Sequence, residues 1–346
     1  MIVAVSHAGD SHLLAVRAAL RRSRTDLTLL DLSQFPARGR LTIDHDEQGR
    51  SALLLLDSGN VIDSEEIECV WWRRPQQYSL DESLTGLSAD FALEQVHAAF
   101  SGLWSSLAVS WVNDPYLTLN ACHKVRQLAL AERHGFAIPR TTITNEPARA
   151  AAFLESLGGR RTVCKPLRSM ATCWKPTSLV TSEDCARLED VRLSPTILQE
   201  YVEGMDVRIT VVGSEIFAAF IDARHTTSPQ DFRPAYAEAK VGSLELPTAL
   251  SSKVLQLMNS LGLEFAAVDV RLQEDGHFVF LELNPAGQWL FVEARTGQLI
   301  TSAFAAHLAN LARLHTQGVT QPPRPCGQYG PRKTPWLVSE LTARHG

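Results

Sequence analysis

Phe265-Ala-Ala-Val-Asp-Val-Arg-Leu272 and Phe278-Val-Phe-Leu-Glu-Leu-Asn284 are two apolar runs facing each other across Glu274-Asp-Gly-His277, and they read as a β-hairpin. Asp269 sits on the first strand, while Glu282 and Asn284 sit two apart on the second, so strict alternation puts those two on one face. Magnesium takes oxygen ligands in octahedral geometry and shares them with nucleotide phosphates, which two carboxylates and an amide on adjacent strands can supply. The bland alternative is a solvated acidic face.

Outward from the hairpin, two lysines supply the opposite charge. Lys124 opens a segment with helical spacing, and Lys165 lies in Val163-Cys-Lys-Pro-Leu167, a strand otherwise apolar. Either alone reads as a surface lysine; together with the acidic hairpin they suit nucleotide phosphate. Between them runs Gln199-Glu-Tyr-Val-Glu-Gly-Met-Asp-Val-Arg208, whose Glu200, Tyr201 and Val202 offer backbone groups to an adenine edge and whose Asp206 can accept from ribose hydroxyls. An edge strand with a glycine turn is the plain reading. Arg208, Arg224 and Arg233 are cationic forks suited to phosphate, though each singly reads as a surface residue.

The amino-terminal part opens β-α-β, with Ile2 to Ser6, His7-Ala-Gly-Asp10, a helix from Leu13 to Arg22 and a strand from Leu27. Cys69-Val-Trp-Trp72 is a further strand, and Ala89 to Leu107 has helical period. Trp71 and Trp72 read as packing residues; Arg73 and Arg74 suit either an acidic peptide or surface carboxylates. The first turn lacks GxGxxG, against a dinucleotide site. One helix is expected from Asn120 to His134, ended by Gly135, and another from about Gly297 to His315. Four segments follow: an α/β lobe at 1–114 with a parallel sheet, a central lobe at 115–195, a carboxy-terminal lobe at 196–320 and a tail at 321–346.

The 346 residues carry 33 basic and 38 acidic side chains, so the net charge of −5 lacks the single-sign field of a nucleic-acid or membrane-surface binder. The run Leu53 to Leu56 is far too short to span a bilayer, and the start lacks signal-peptide regions, giving a cytoplasmic expectation. Six cysteines without a CxxC pair argue against zinc and disulfide frameworks. Cys164 and Cys173 flank a loop expected beside nucleotide, and they read as inert.

The ordered series Lys124, Lys165, Gln199-Glu-Tyr-Val, Asp206-Val-Arg, Asp269 and Leu281-Glu-Leu-Asn-Pro resembles the ATP-grasp superfamily over about residues 115 to 312. Val70-Trp-Trp-Arg-Arg-Pro, Lys165-Pro-Leu, Asp231-Phe-Arg and Asn284-Pro-Ala-Gly-Gln-Trp look like the graspetide synthetases, the microviridin-type peptide macrocyclases. Relatives often carry tryptophan before the arginine at 233, where this chain has Phe232. The resemblance implies an ATP-grasp fold with a pre-ATP-grasp lobe, ATP between the last two lobes and two Mg2+ ions. It also implies a precursor peptide bound through its leader, and a homodimer. The implied chemistry is an acyl phosphate on Asp or Glu side chains, closed by a hydroxyl or amine to an ester or amide with release of ADP. Lys124, Lys165, Glu200, Tyr201, Val202 and Asp206 would hold nucleotide, Asp269, Glu282 and Asn284 metal, and Arg208, Arg224 and Arg233 the reacting phosphate. An amino-acid or dipeptide ligase is the alternative, and a non-catalytic nucleotide sensor a third reading.

Overall fold

The computed structural model describes residues 1–47, 49–168 and 177–318; Cys173, Cys326 and the tail 321–346 lie outside the described residues. The chain opens with β1 (Ile2–Val5), α1 (Ser11–Arg22) and β2 (Leu27–Leu30), and the Asp10 side chain caps α1 by accepting from the His12 N–H. An antiparallel set absent from the sequence reading follows: β3 (Arg40–Asp46), β4 (Gly49–Leu55) and β5 (Val61–Asp63). Then β6 (Cys69–Trp72), α2 (Gly86–Ser106) and β7 (Ser110–Val112) complete a parallel sheet in the order β2-β1-β6-β7. The strands β1, β6 and β7 are buried on both faces, while the edge strand β2 is half-buried at Thr28 and Leu29.

The helix expected from 120 to 134 is two helices, α3 (Pro115–Ala121) and α4 (Lys124–Arg133), broken at Cys122-His123. Next come β8 (Thr141–Thr144), α5 (Pro147–Ser156), β9 (Thr162–Lys165), β10 (Ser178–Leu179), α6 (Ser182–Ala186) and β11 (Thr196–Glu200), whose antiparallel sheet runs β10-β9-β11-β8. The last part contains β12 (Met205–Val212), β13 (Glu215–Asp222), β14 (Lys240–Ser243), α7 (Thr248–Leu261), β15 (Phe265–Leu272), β16 (Phe278–Asn284), α8 (Leu290–Thr296) and α9 (Ile300–Thr316). Its sheet order is β14-β13-β12-β15-β16. Gly297 ends α8 in a left-handed conformation, so the expected final helix starts three residues later.

Sheet membership shifts two expected lobe limits. Residues 196–200 pair with β8 and β9, so they belong to the central sheet rather than to the carboxy-terminal lobe. Conversely, Ala121 of α3 and Ala131 of α4 pack with Val254 and Leu257 of α7 against Ile209, Val268 and Phe280, under the sheet of the last part. Among the described residues no helix is long and apolar enough to cross a membrane.

The opposite face of that sheet is divided. Toward one end, Val212, Ala219 and Phe265 join a core with Leu13, Trp71, Trp289 and Phe304, where α9 is packed between the last sheet and the first lobe. Toward the other end, the same face is polar.

Strict alternation fails on β16. Asp269 faces Glu282 but Val270 faces Phe280, which leaves Leu281 as the extra residue of a β-bulge. Phe280 and Leu283 therefore both enter the core beneath α7, while Leu281, Glu282 and Asn284 all line the cavity above the sheet. The bulge aims Glu282 at the cavity without exposing Phe280.

Candidate active site

Register builds a charged row across three strands: Arg208 on β12 lies beside Asp269 on β15, which lies beside Glu282 on β16. One step along, Asp206 lies beside Arg271. Signs alternate along β12 and β15, but the carboxylates of Asp269 and Glu282 lie opposite each other and repel, each met by its own cation, Arg208 and Lys124. Above these rows is a cavity of about 550 Å3, closed on the other side by Val163, Lys165 and residues 199–202 of the central sheet.

Arg208 is buried, its Nε 2.6 Å from Oδ1 of Asp269 and its Nη2 donating to Oδ2 at 3.2 Å. Burial pushes the Asp269 carboxyl up, against the pull of Arg208. Glu282 behaves oppositely. Burial resists its ionisation, yet the charges of Lys124 and Lys165 hold it down at about 2. Lys124 is the first residue of α4, the end of a helix where the macrodipole disfavours a cation, and its Nζ donates to Oε2 of Glu282 at 2.9 Å. The Glu282 carboxylate offsets that unfavourable placement.

Burial lowers the Lys165 ammonium to about 8, with Lys124 adding to the fall and Glu282 and Asp269 opposing it. Phosphates favour the charged form, so nucleotide binding takes up a proton wherever the amine was neutral. Affinity should be flat below about pH 8 and fall about tenfold for each pH unit above it, until the lysine of the complex also loses its proton. Calorimetry with a non-hydrolysable ATP analogue tests this in the parent and in Lys165→Met, which should bind more weakly and lose the alkaline fall. Persistence of the fall in the variant would assign it to another group.

Burial also pushes Asp206 up to about 7, with Arg271 opposing. Its Oδ2 is 3.4 Å from Arg271 Nη1 and accepts no hydrogen bond among the described residues, leaving an acceptor open to a hydroxyl donor. Tyr201 lies between two guanidinium groups, Arg161 at 4.4 Å and Arg271 at 5.4 Å from its ring centre. The N–H groups of Glu200 and Tyr201 are taken by the carbonyls of Arg140 and Arg161, so Val202 is the next backbone donor for a purine edge. The Glu200 carboxylate accepts from Arg160.

Arg233 lines the cavity, its fork held by Asp231 at 2.7 and 2.6 Å. Tyr236 and Phe291, in edge contact at 5.1 Å, form an aromatic wall there. Arg224 is not brought to the cavity: it lies beyond the end of β13, where its fork is spent on Asp222 at 2.9 Å with Glu274 at 3.4 Å. The remaining sequence-derived residues line this one cleft, except Lys124, which reaches it through its bond to Glu282.

As a metal centre, Asp269 and Glu282 supply two hard carboxylates and Asn284 an amide whose Oδ1 accepts from the Ala286 N–H. No group of three His, Cys, Asp or Glu gathers among the described residues. Such a set fits an ion that draws its other ligands from phosphate and water.

One residue escaped the sequence reading, and another has a role different from either that was expected. Arg271 lies two positions from Asp269 on the same strand, and the alternation applied to Glu282 and Asn284 would have found it. Arg73, by contrast, meets neither peptide nor surface carboxylate: it is 2% exposed and pairs with buried Asp10, which no local pattern discloses.

Comparison with known proteins adds three findings. Residues 1–118 match the MvdD pre-ATP grasp domain, and residues 121–308 match the RimK-like ATP-grasp domain. A probable alpha-L-glutamate ligase of Marinomonas sp. (strain MWYL1) is 24% identical over 213 residues, 59% of this chain and 68% of that protein. Among solved structures, macrocyclase MdnB from Microcystis aeruginosa MRC superposes with a TM-score of 0.75 at 27% identity, covering 89% of this chain and 98% of that one. Macrocyclase MdnC bound with precursor peptide MdnA, from the same organism, gives 0.79 at 24% identity, covering 89% and 99%.

Proposed function

The chain belongs to the RimK-like ATP-grasp family and is an ATP-grasp ligase, and from that premise we propose that it activates Asp or Glu side chains of a precursor peptide and closes them as intramolecular esters or amides. The observation that carries the peptide reading is the first lobe. It matches the MvdD type over its whole length, and the macrocyclases align with 89% of the chain and nearly all of their own length.

In this mechanism a substrate carboxylate oxygen attacks the γ-phosphorus of ATP, the bond to the bridging oxygen breaks, and ADP leaves. A hydroxyl or amine of the same peptide then attacks the acyl carbon, losing its proton as phosphate departs. Lys165 and Lys124 neutralise phosphate charge, Asp206 accepts from the ribose, and Arg208 and Arg233 face the charge that develops on the transferred group. Asp269, Glu282 and Asn284 would hold magnesium, which would supply further charge neutralisation at the phosphates. The aromatic wall of Tyr236 and Phe291 offers apolar surface to a peptide in the cleft.

Co-expression with a short peptide encoded beside the gene, followed by mass spectrometry and nucleotide chromatography, tests the proposal. The expected products are peptide lighter by one water per ring, and ADP. A peptide heavier by an amino-acid residue would favour the amino-acid ligase alternative, and AMP with pyrophosphate would overturn the acyl phosphate.

A further inference from the structure

Immediately after Asn284 the chain makes a turn, residues 285–290, that passes from the cavity to α8. Its peptide groups are held from outside almost one by one. Asn113 Nδ2, at the end of the first lobe, donates to the carbonyl of Pro285 at 3.0 Å. Arg73 Nη1 donates to the carbonyls of Ala286 and Gly287 at 2.5 and 3.2 Å. His12 Nε2 accepts from the N–H groups of Trp289 and Leu290 at 3.0 and 3.3 Å. The carbonyl of Gln288 accepts from Arg208 at 3.4 Å, and that of Trp289 from the N–H groups of Val292 and Glu293 in α8.

The holders are themselves fixed. Asp10 accepts from Arg73 Nε at 3.2 Å and from the Ser6 hydroxyl at 2.9 Å, and all four side chains, with Asn113, are buried. His12 can accept at Nε2 only when that nitrogen carries no proton. Burial and the nearby cations Arg73 and Arg74 lower its proton affinity, with Asp10 opposing, and the position of Nδ1 3.7 Å from Asp10 keeps the one ring proton on that side. The fit against the sheet leaves no slack: a methyl group on Gly287 would come 2.3 Å from the Cβ of Ala267 on β15. Ordinary lobe contacts are apolar, and this interface has an apolar core of its own. A buried ionic cluster directed at the backbone of one turn needs a separate reason, because its desolvation is costly.

We infer that Arg73, His12 and Asn113 form a template by which the first lobe positions the end of β16 and the Arg208 guanidinium for phosphoryl transfer. They are positioning residues: none lines the cavity. The path is short, from Arg73 to the 286–287 carbonyls, to Gln288, to Arg208 and so to Asp269, with Asn284 at the head of the turn. The inference rests on the assignment of Asp269, Glu282 and Asn284 to nucleotide-bound magnesium. Outer partners of metal ligands typically change metal affinity or activity by 10- to 100-fold when altered.

Arg73→Lys keeps the charge opposite Asp10 but loses the fork, His12→Leu removes the acceptor, and His12→Gln restores one. Nucleotide binding is measured as a function of magnesium, alongside ADP release and thermal unfolding, with Glu282→Gln as a control. Arg73→Lys and His12→Leu should raise half-saturating magnesium about tenfold with metal-free nucleotide affinity unchanged, and His12→Gln should recover most of the loss. Parental magnesium dependence and turnover in folded Arg73→Lys and His12→Leu, with a shifted Glu282→Gln, would overturn the template and leave the site. Parental dependence in all of them would overturn the site assignment and the template with it. Should the variants fail to fold, hydrogen exchange in the parent decides: the Trp289 and Leu290 amides should be as protected as β15 before any nucleotide is added, and exchange at loop rates would overturn the inference.

Discussion

Glu282→Gln should keep the fold and lose phosphoryl transfer by on the order of 100- to 1,000-fold. The exchange preserves size and removes one negative charge from the row Arg208, Asp269, Glu282. In the empty protein the main loss is the pair with Lys124, both side chains being partly exposed, which is worth about 1 kcal/mol or less. In the loaded protein the loss falls on the centre that must neutralise the phosphates, where a neutral amide is a poor substitute for carboxylate. Single-turnover ADP release and a melting curve separate these effects, and added magnesium should restore part of the rate. Turnover near the parental value at low magnesium would remove Glu282 from the site.

Arg208→Lys should lower kcat about 100-fold while changing the apparent affinity for ATP only a few-fold. The guanidinium does three things that an ammonium cannot do together: it meets both oxygens of Asp269, reaches the Gln288 carbonyl and lies over the Phe291 ring at 5.5 Å. A lysine retains the charge against Asp269, so the buried carboxylate is not abandoned and the protein should remain folded. Its charge would nevertheless sit where the side chain can reach, without a fixed direction toward the transferring group. Steady-state kinetics with peptide and ATP varied separately measures the split. A rise in KM for ATP with kcat intact would make Arg208 a nucleotide-binding residue instead.

The hairpin could be read from the chain because its two signals are local: alternation of apolar and polar residues, and a turn rich in Asp and Gly. Glu282 and Asn284 followed from it directly, and Lys165 stood out as a charge within an apolar strand. The bulge at Leu281 could not be read, because an extra residue in one strand is defined only by the register of its partner. The break between α3 and α4 was hidden for a similar reason, since helical spacing continues through Cys122-His123 and the new helix at Lys124 shows only in the fold. Arg224 shows the converse limit. Its place after a strand resembled that of a site residue, but Asp222, two positions earlier, captures its fork. The motif Pro285-Ala-Gly-Gln-Trp was visible as letters, and its meaning lies in partners more than 150 positions away, Asn113, Arg73 and His12.

The packing of α9 between the last sheet and the first lobe bears on how such enzymes can be recombined. Linear order places an ATP-grasp unit after a separable leading module, yet Leu13 and Trp71 share one core with Trp289, Ile300 and Phe304. A chimaera joined at the boundary near residue 118 would bring a foreign surface against α1 and β6 and leave large aromatic rings without their complement. The tolerant seams lie elsewhere, near residues 140 and 201–204, where the chain enters and leaves the central sheet. Exchange of that insert, with the body left whole, is the graft that this architecture permits.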